Sequence, residues 1–154
     1  MTSNPKHRKK VKHYDIAGDA HFLTYSCYRR YQLLSKHRTR LWFVEALKNA
    51  RTKHGFHLRA WMIMPEHIHL LLWMPDEEMK TDKILASINK PVSYKACQYL
   101  KQHASRFLEK LTVAGANRTY HRFWQPGSGW STPYSLASVF ALNRSNQTRS
   151  FTAS

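Results

Sequence analysis

Residues 61–73, WMIMPEHIHLLLW, decide how this chain folds. Pro65 and Glu66 interrupt an apolar run. On both sides of this break, successive residues are expected to alternate between two faces. Alternation with a period of two is typical of a β-strand whose two faces meet different surroundings. The segment therefore predicts two strands, His57–Ile63 and His67–Trp73, which are joined so closely that they form a hairpin.

The same alternation gives the second strand two distinct faces. His67 and His69 lie on one face, and the apolar residues between and after them point into a core that helices cover. The two histidine Cα atoms would be ~6.6 Å apart, so both rings can bind one metal ion at ~2.1 Å. Other positions around the ion would stay open for a substrate oxygen. Alternatively, both histidines simply face solvent on the open side of the sheet.

The flanking segments predict a strand and a helix before the hairpin. Residues 21–28 alternate and are rich in aromatic and β-branched side chains, which favours a strand. Residues 36–54 carry apolar residues at helical spacing, and Gly55 is a typical residue just beyond a helix. The apolar residues at that spacing are Leu41, Val44, Leu47 and Ala50.

A second helical region and a fourth strand are predicted after the hairpin. The helical region spans residues 84–111, and Pro91 is expected to break it or to start its second part. Residues 120–124 are the candidate strand. The order β-α-β-β-α-β predicts an α+β fold of the ferredoxin-like, split β-α-β type, with an antiparallel sheet and helices on one face.

The charge points to a polyanionic partner. Lysine and arginine number 25 against 9 aspartate and glutamate residues, a net charge of +16 with a pI near 10.2. Such an excess is typical of nucleic-acid binding, although any one of these side chains could instead be a surface charge without a partner. The candidates for phosphate contacts are Arg29, Arg30, Arg38, Arg40, Arg51 and Lys53, with Lys9 and Lys10 near the N-terminus.

The composition predicts three regions. Residues 1–13 form a basic arm that lies on phosphates or is merely solvated. Residues 14–130 form the candidate nucleic-acid-binding domain, and residues 131–154 form a divergent tail that is rich in serine and threonine and has no acid. Two cysteines exclude a disulfide framework. Because neither a secretory signal nor an apolar run of ~20 residues is present, we expect a cytoplasmic protein.

Two motifs resemble a known family. Residues 64–72, MPEHIHLLL, resemble the His-hydrophobe-His (HUH) signature of single-tyrosine transposases, and more narrowly the REP-associated tyrosine transposases and their insertion-sequence-200-type relatives. Residues 123–129, FWQPGSG, are similar to the segment that precedes this family's catalytic helix. The resemblance extends over residues 10–130.

The resemblance implies a function in DNA transposition. Members of this family bind single-stranded DNA at hairpins, cleave it and rejoin it, as monomers or homodimers. His67 and His69 would bind a divalent cation, Mg²⁺ or Mn²⁺, which polarises the scissile phosphate. Because Mg²⁺ prefers oxygen ligands, a third, oxygen-bearing side chain and the DNA phosphate are expected to complete the site.

The family's nucleophile is a tyrosine in a later helix, and here the sequence departs from the pattern. Tyr134, the only tyrosine after Tyr120, is the candidate, but its neighbours do not match the family's Tyr-Ile-x-x-Asn-Pro-like motif. A frameshifted or truncated gene end is one explanation. Whether the chain is an enzyme therefore stays open, and the alternatives are a non-catalytic nucleic-acid-binding module and an unrelated metal-binding or structural protein. Tyr94 and Tyr99 are interpreted, like Tyr120, as core or surface aromatics.

Overall fold

A computed structural model describes residues 20–126 and the backbone of residues 130–134. Within these ranges the elements are β1 (Ala20–Ser26), α1 (His37–His54), β2 (His57–Ile63), β3 (His67–Trp73), α2 (Thr81–His103), α3 (Ser105–Lys110), β4 (Thr112–Ala114), β5 (Thr119–His121) and β6 (Trp130–Tyr134). A short 3-10 turn, Tyr28–Arg30, follows β1. The predicted bounds of β2 and β3 are confirmed, and so is their antiparallel pairing.

Four strands form one antiparallel sheet in the order β2-β3-β1-β6. Alternate side chains of β3, Ile68, Leu70 and Leu72, are fully buried and pack in one cluster with side chains of α1 and α2. Both long helices therefore cover the same face of the sheet, and no described helix covers the opposite face, which is called the open face below. This arrangement confirms the α+β class and the split β-α-β topology.

Helix α1 ends where the sequence predicts. Gly55 has φ +74°, and its N–H donates to the carbonyl of Arg51 at 2.9 Å, which closes the last turn. The buried face, however, is formed by Phe43, Ala46, Leu47 and Ala50. Leu41 and Val44 are 53% and 39% exposed, so apolar spacing alone was a wrong guide to the orientation of the first two turns.

Helix α2 continues through Pro91, which corrects the predicted break. Side chains at four-residue spacing on both sides of Pro91 are buried, namely Ile84, Ile88, Val92 and Ala96. Burial of each of these side chains contributes up to ~2 kcal/mol. Together the four offset the ~3 kcal/mol that an internal proline costs. The helical region divides instead at Ala104, whose φ of −154° and ψ of 57° separate α2 from α3.

The fourth strand of the sheet is β6, and the prediction of residues 120–124 was wrong. Part of that segment forms β5, which pairs with β4 in a separate two-stranded hairpin. Pairing with a strand so close in sequence has a small entropic cost of loop closure. Trp124 makes only an isolated bridge to Cys27, and Phe123 is buried in the core.

Several predicted features lie outside the described residues. They are the basic arm with Lys9 and Lys10, the short helix of residues 135–142 and the rest of the tail. Strand β6 crosses the predicted boundary at residue 130. Over the ranges that the structure describes, no helix combines the length and the apolar character that a membrane crossing requires.

Substituting Pro91 is expected to stabilise the protein. Proline has no N–H to give to the carbonyl of Ser87, and alanine restores this bond, so Pro91→Ala should raise the free energy of unfolding by about 1–2 kcal/mol. Chemical denaturation measures the change, with exposed Gln98→Ala in the same helix as the control. A loss of stability would show that the packing of α2 needs the proline.

Candidate metal centre

The two histidines of β3 lie together on the open face of the sheet. His67 and His69 are both half-buried, and their ring centroids are 4.8 Å apart with the ring planes perpendicular. The strand alternation that buries Ile68, Leu70 and Leu72 places them there. Both rings therefore lie on one face of the sheet, as the strand period predicts.

Each imidazole is held through its Nδ1 atom. His67 Nδ1 lies 3.1 Å from Glu66 Oε1, and His69 Nδ1 lies 2.9 Å from Thr24 Oγ1. A carboxylate accepts only, so neutral His67 carries its proton on Nδ1 and keeps the Nε2 lone pair for another partner. Histidine ligands of protein metal sites are commonly oriented in this way by a carboxylate or another oxygen.

Strand pairing brings two β1 side chains to His69. Thr24 lies directly opposite His69 in the register. Phe22, two residues earlier on the same face, stacks on the His69 ring with centroids 5.5 Å apart and planes 15° apart. The orientation of this ring is therefore set from one side by a hydrogen bond and from the other by aromatic packing.

The protonation of His69 suits a ligand role. Burial lowers the pKa of His69 from its ordinary value of 6.5, and the neighbouring His67 lowers it further. A lowered pKa means that the ring is neutral at pH 7, and only a neutral imidazole has a lone pair to offer a cation.

The donor set fits a divalent cation as a partial site. Among the described residues, no three His, Cys, Asp or Glu side chains are grouped to hold a metal ion. Glu66 is the nearest carboxylate in these contacts, but it binds the ring of His67. Two imidazole nitrogens suit Mn²⁺ better than Mg²⁺, and oxygens from a substrate or from water would fill the remaining positions.

Arginine and aromatic side chains border the pair at the end of β1. Arg30 Nη2 lies 4.0 Å from Glu66 Oε1, the same oxygen that contacts His67. The guanidinium groups of Arg29 and Arg122 lie 5.2 and 5.7 Å from the centroid of the Tyr28 ring. Cations are thus concentrated around the Tyr28 ring in the turn after β1, and Arg30 connects this turn to the carboxylate that contacts His67.

The turn that carries these arginines has an unusual backbone. Arg29 and Arg30 have φ values of 51° and 55°, in the left-handed region that side chains with a Cβ disfavour. Such strain costs about 1–2 kcal/mol per residue. The Arg29 N–H donates to Gln125 Oε1 at 3.1 Å, and the Arg30 N–H donates to the Cys27 carbonyl at 3.0 Å. These bonds hold the strained turn in place.

The structure divides the other predicted phosphate contacts into two groups. Arg38 and Arg40 are in the first turn of α1, and Arg40 Nε donates to the Leu34 carbonyl at 2.7 Å. Arg51 and Lys53 are in the last turn. At 1.5 Å per residue the two groups are ~20 Å apart along the helix, so only the first group is near the turn that follows β1.

Tyr134, the sequence-predicted nucleophile, is distant from the pair in the register. It lies opposite Ala20 in β1, whereas His69 lies opposite Thr24 on the other side of that strand. Four residues along the strand and two strand spacings across give a Cα–Cα separation of ~16 Å between Tyr134 and His69.

Sequence reasoning missed three side chains that complete this region. Thr24 could be found only from the strand register, since nothing in its local sequence marks it. Arg122 was hidden by the wrong assignment of residues 120–124 to the sheet. Glu66 was read as part of a strand break, although its position before His67 could have indicated its contact with that ring.

The chain matches the family described as "Transposase IS200 like" over residues 16–146. In sequence, no curated protein matches it.

Two solved structures resemble it in fold. One is a REP-associated tyrosine transposase bound to a REP hairpin, at TM-score 0.63 and 20% identity, over 88% of this chain and 68% of that one. The other is a Deinococcus radiodurans R1 protein assigned as a transposase, at TM-score 0.54 and 15% identity, over 92% of this chain and 95% of that one.

The lowered pKa of His69 can be measured directly. In the protein freed of metal by a chelator, an NMR titration of the imidazole nitrogens should give a midpoint for His69 below its ordinary value of 6.5. His67→Ala should move that midpoint part of the way back, because it removes the smaller of the two causes. A midpoint at or above 6.5 in the parent protein would contradict the burial seen here.

Proposed function

Because this chain belongs to the IS200-like transposase family, we propose that it binds hairpin-bearing single-stranded DNA, with a divalent cation held by His67 and His69. The observation that carries the proposal is the pair of imidazoles, each fixed through Nδ1 by Glu66 or Thr24, on the open face of the sheet. We further propose that residues 14–130 carry this activity and that the arm with Lys9 and Lys10 adds phosphate contacts.

Charge and fold support a DNA partner. The chain carries a net charge of +16, and counterion release from phosphates gives such a protein a large, salt-dependent affinity for nucleic acid. A protein of similar fold has been solved with a REP hairpin bound. The arginine and aromatic side chains beside the pair offer both phosphate contacts and stacking surfaces.

The residues at this site would have three different roles. His67 and His69 supply two neutral ligands, while Glu66 and Thr24 orient them. A bound Mg²⁺ or Mn²⁺ would act as a Lewis acid toward a phosphate oxygen. Arg30, beside Glu66, would contact the same phosphate or its neighbour.

Strand cleavage needs a nucleophile, and this separates two candidate functions. In the first, Tyr134 attacks the phosphate as the family's tyrosine does. In the second, the chain is a non-catalytic binding module. The neighbours of Tyr134 do not match the family's Tyr-Ile-x-x-Asn-Pro-like motif, and this mismatch favours the second.

Removing the hydroxyl that orients His69 should weaken cation binding. We expect Thr24→Val to raise the Kd for Mn²⁺ by about 10-fold, and His69→Ala to raise it further, as measured from the electron paramagnetic resonance signal of free Mn²⁺. Thr112→Val is the matched control, because Thr112 Oγ1 makes a similar contact, 3.1 Å, to His121 Nδ1 elsewhere. Equal effects of both valine substitutions would contradict the proposed site.

Neutralising the arginines beside the pair should reduce the salt dependence of DNA binding. For Arg29→Gln and Arg30→Gln we expect weaker binding of a labelled hairpin DNA, and a slope of log K against log salt that is smaller by about 0.7 each. Arg51→Gln, at the far end of α1, should change it less. Fluorescence anisotropy over a salt series measures the slope for all three variants. If Arg29→Gln and Arg30→Gln have the same slope as the parent protein, the DNA does not contact the turn after β1.

The covalent adduct decides between the two candidate functions. Hairpin DNA and Mn²⁺ are incubated with the parent protein, with Tyr134→Phe and with His67→Ala, and adducts are separated on denaturing gels. We expect DNA binding without any adduct that depends on Tyr134. An adduct that Tyr134→Phe and His67→Ala both abolish would instead establish Tyr134 as the nucleophile of an active enzyme.

A further inference from the structure

A cleft of about 690 Å³ opens where α1 begins and α2 ends. Its walls are mostly apolar and aromatic, with Trp42 from α1, Tyr99 from α2 and Phe107 from α3. The volume is in the range of small-ligand sites. It is separate from the histidine pair, which lies on the open face of the sheet.

Stacked side chains form one wall of the cleft. The guanidinium carbon of Arg38 lies 3.8 Å from the centroid of the Tyr99 ring. The His103 ring stacks on the other face of Tyr99, with centroids 4.1 Å apart and planes 11° apart. Trp42 and Tyr99 make an edge-to-face contact. Arg38 is exposed and ends this stack within the cleft, so its planar group can extend the stack to another flat ring.

The charge at the cleft selects an anionic occupant. Lys36, His37 and Arg38 are at its rim, and none of the described residues that line it is an aspartate or a glutamate. The first turn of α1 has no acidic side chain, so the positive end of the helix dipole adds to the potential. A flat ring that carries a negative charge fits these walls and this rim, and a nucleotide has both features.

The cleft lies at the same end of the sheet as the histidine pair. Strand β1 ends at Ser26, which is opposite His67, the first residue of β3. The segment leading into α1 is tied to the β2–β3 connection by the Leu34 N–H, which donates to the Pro65 carbonyl at 2.9 Å. Along the chain, Arg29 and Arg30 lie between the end of β1, which pairs with the histidine strand, and Gln32, the first residue that lines the cleft.

We propose that this cleft binds an unpaired nucleotide of the single strand that flanks the hairpin. Its base stacks on the Arg38 guanidinium at the end of the Arg38–Tyr99–His103 stack, and its phosphate lies at the rim beside Lys36. The proposal rests on the proposed function, hairpin-DNA binding, and it deepens that function by assigning a site to the flank. The arginine turn then borders the path of the strand from the cleft toward His67.

The test uses two DNAs, a hairpin without a flank and the same hairpin with a single-stranded flank. The flank carries the fluorescent base 2-aminopurine at each position in turn, since stacking quenches it. The expected result is quenching at one flank position and tighter binding of the flanked DNA. Tyr99→Leu should remove the quenching and weaken binding of the flanked DNA about 5- to 150-fold, and leave binding of the unflanked hairpin unchanged.

Two further variants make the result specific to the cleft. Tyr94→Leu is the matched control, because Tyr94 is in the same helix and 67% exposed but does not line the cleft. Arg38→Lys keeps the charge of an exposed residue and removes its planar group, so it should also reduce quenching. Equal effects of Tyr99→Leu and Tyr94→Leu, or a flank that adds no affinity and no quenching, would overturn the subsite alone. If neither DNA binds, the proposed function fails and the subsite with it.

Discussion

The antiparallel pairing of β1 with β3 is the constraint on which the rest of the structure depends. In this register Thr24 lies opposite His69, and Ile68, Leu70 and Leu72 face the helices. A slip of one residue would turn every β3 side chain to the other face, because the period of a strand is two. Two imidazoles would then enter the core, and three apolar side chains worth ~2 kcal/mol each would leave it. The core therefore enforces the register, and the geometry of the histidine pair follows from it.

That dependence explains how much of the site the sequence can predict. His67 and His69 are two residues apart in one strand, so local periodicity is enough to place their rings on one face. Thr24 and Phe22 belong to a strand more than forty residues earlier in the chain, and only the pairing register brings them to His69. A single sequence with a strand period contains the first kind of information and not the second.

The errors in predicting the fold have the same origin. Pro91 disfavours a helix locally, but the burial of Ile88 and Val92 on either side of it outweighs that preference. Residues 120–124 have the composition of a strand, yet which partner they pair with depends on the competition between a nearby strand and the main sheet. Leu41 and Val44 follow a helical spacing that the core does not use. In each case tertiary packing, rather than local preference, determined the outcome.

Under the proposed function, the balance of charge would couple cation binding at the histidine pair to DNA binding. With 25 basic and 9 acidic residues, the protein repels a divalent cation, and the two imidazoles are neutral ligands that do not offset this repulsion. Glu66, the carboxylate nearest to them in the structure, contacts both the ring of His67 and Arg30. A phosphate would bring both the missing negative charge and the missing oxygen ligands. Linkage requires that such coupling be reciprocal, so a cation at the pair would strengthen phosphate binding by the same factor. The scarcity of carboxylates around the pair is thus consistent with a site that DNA completes.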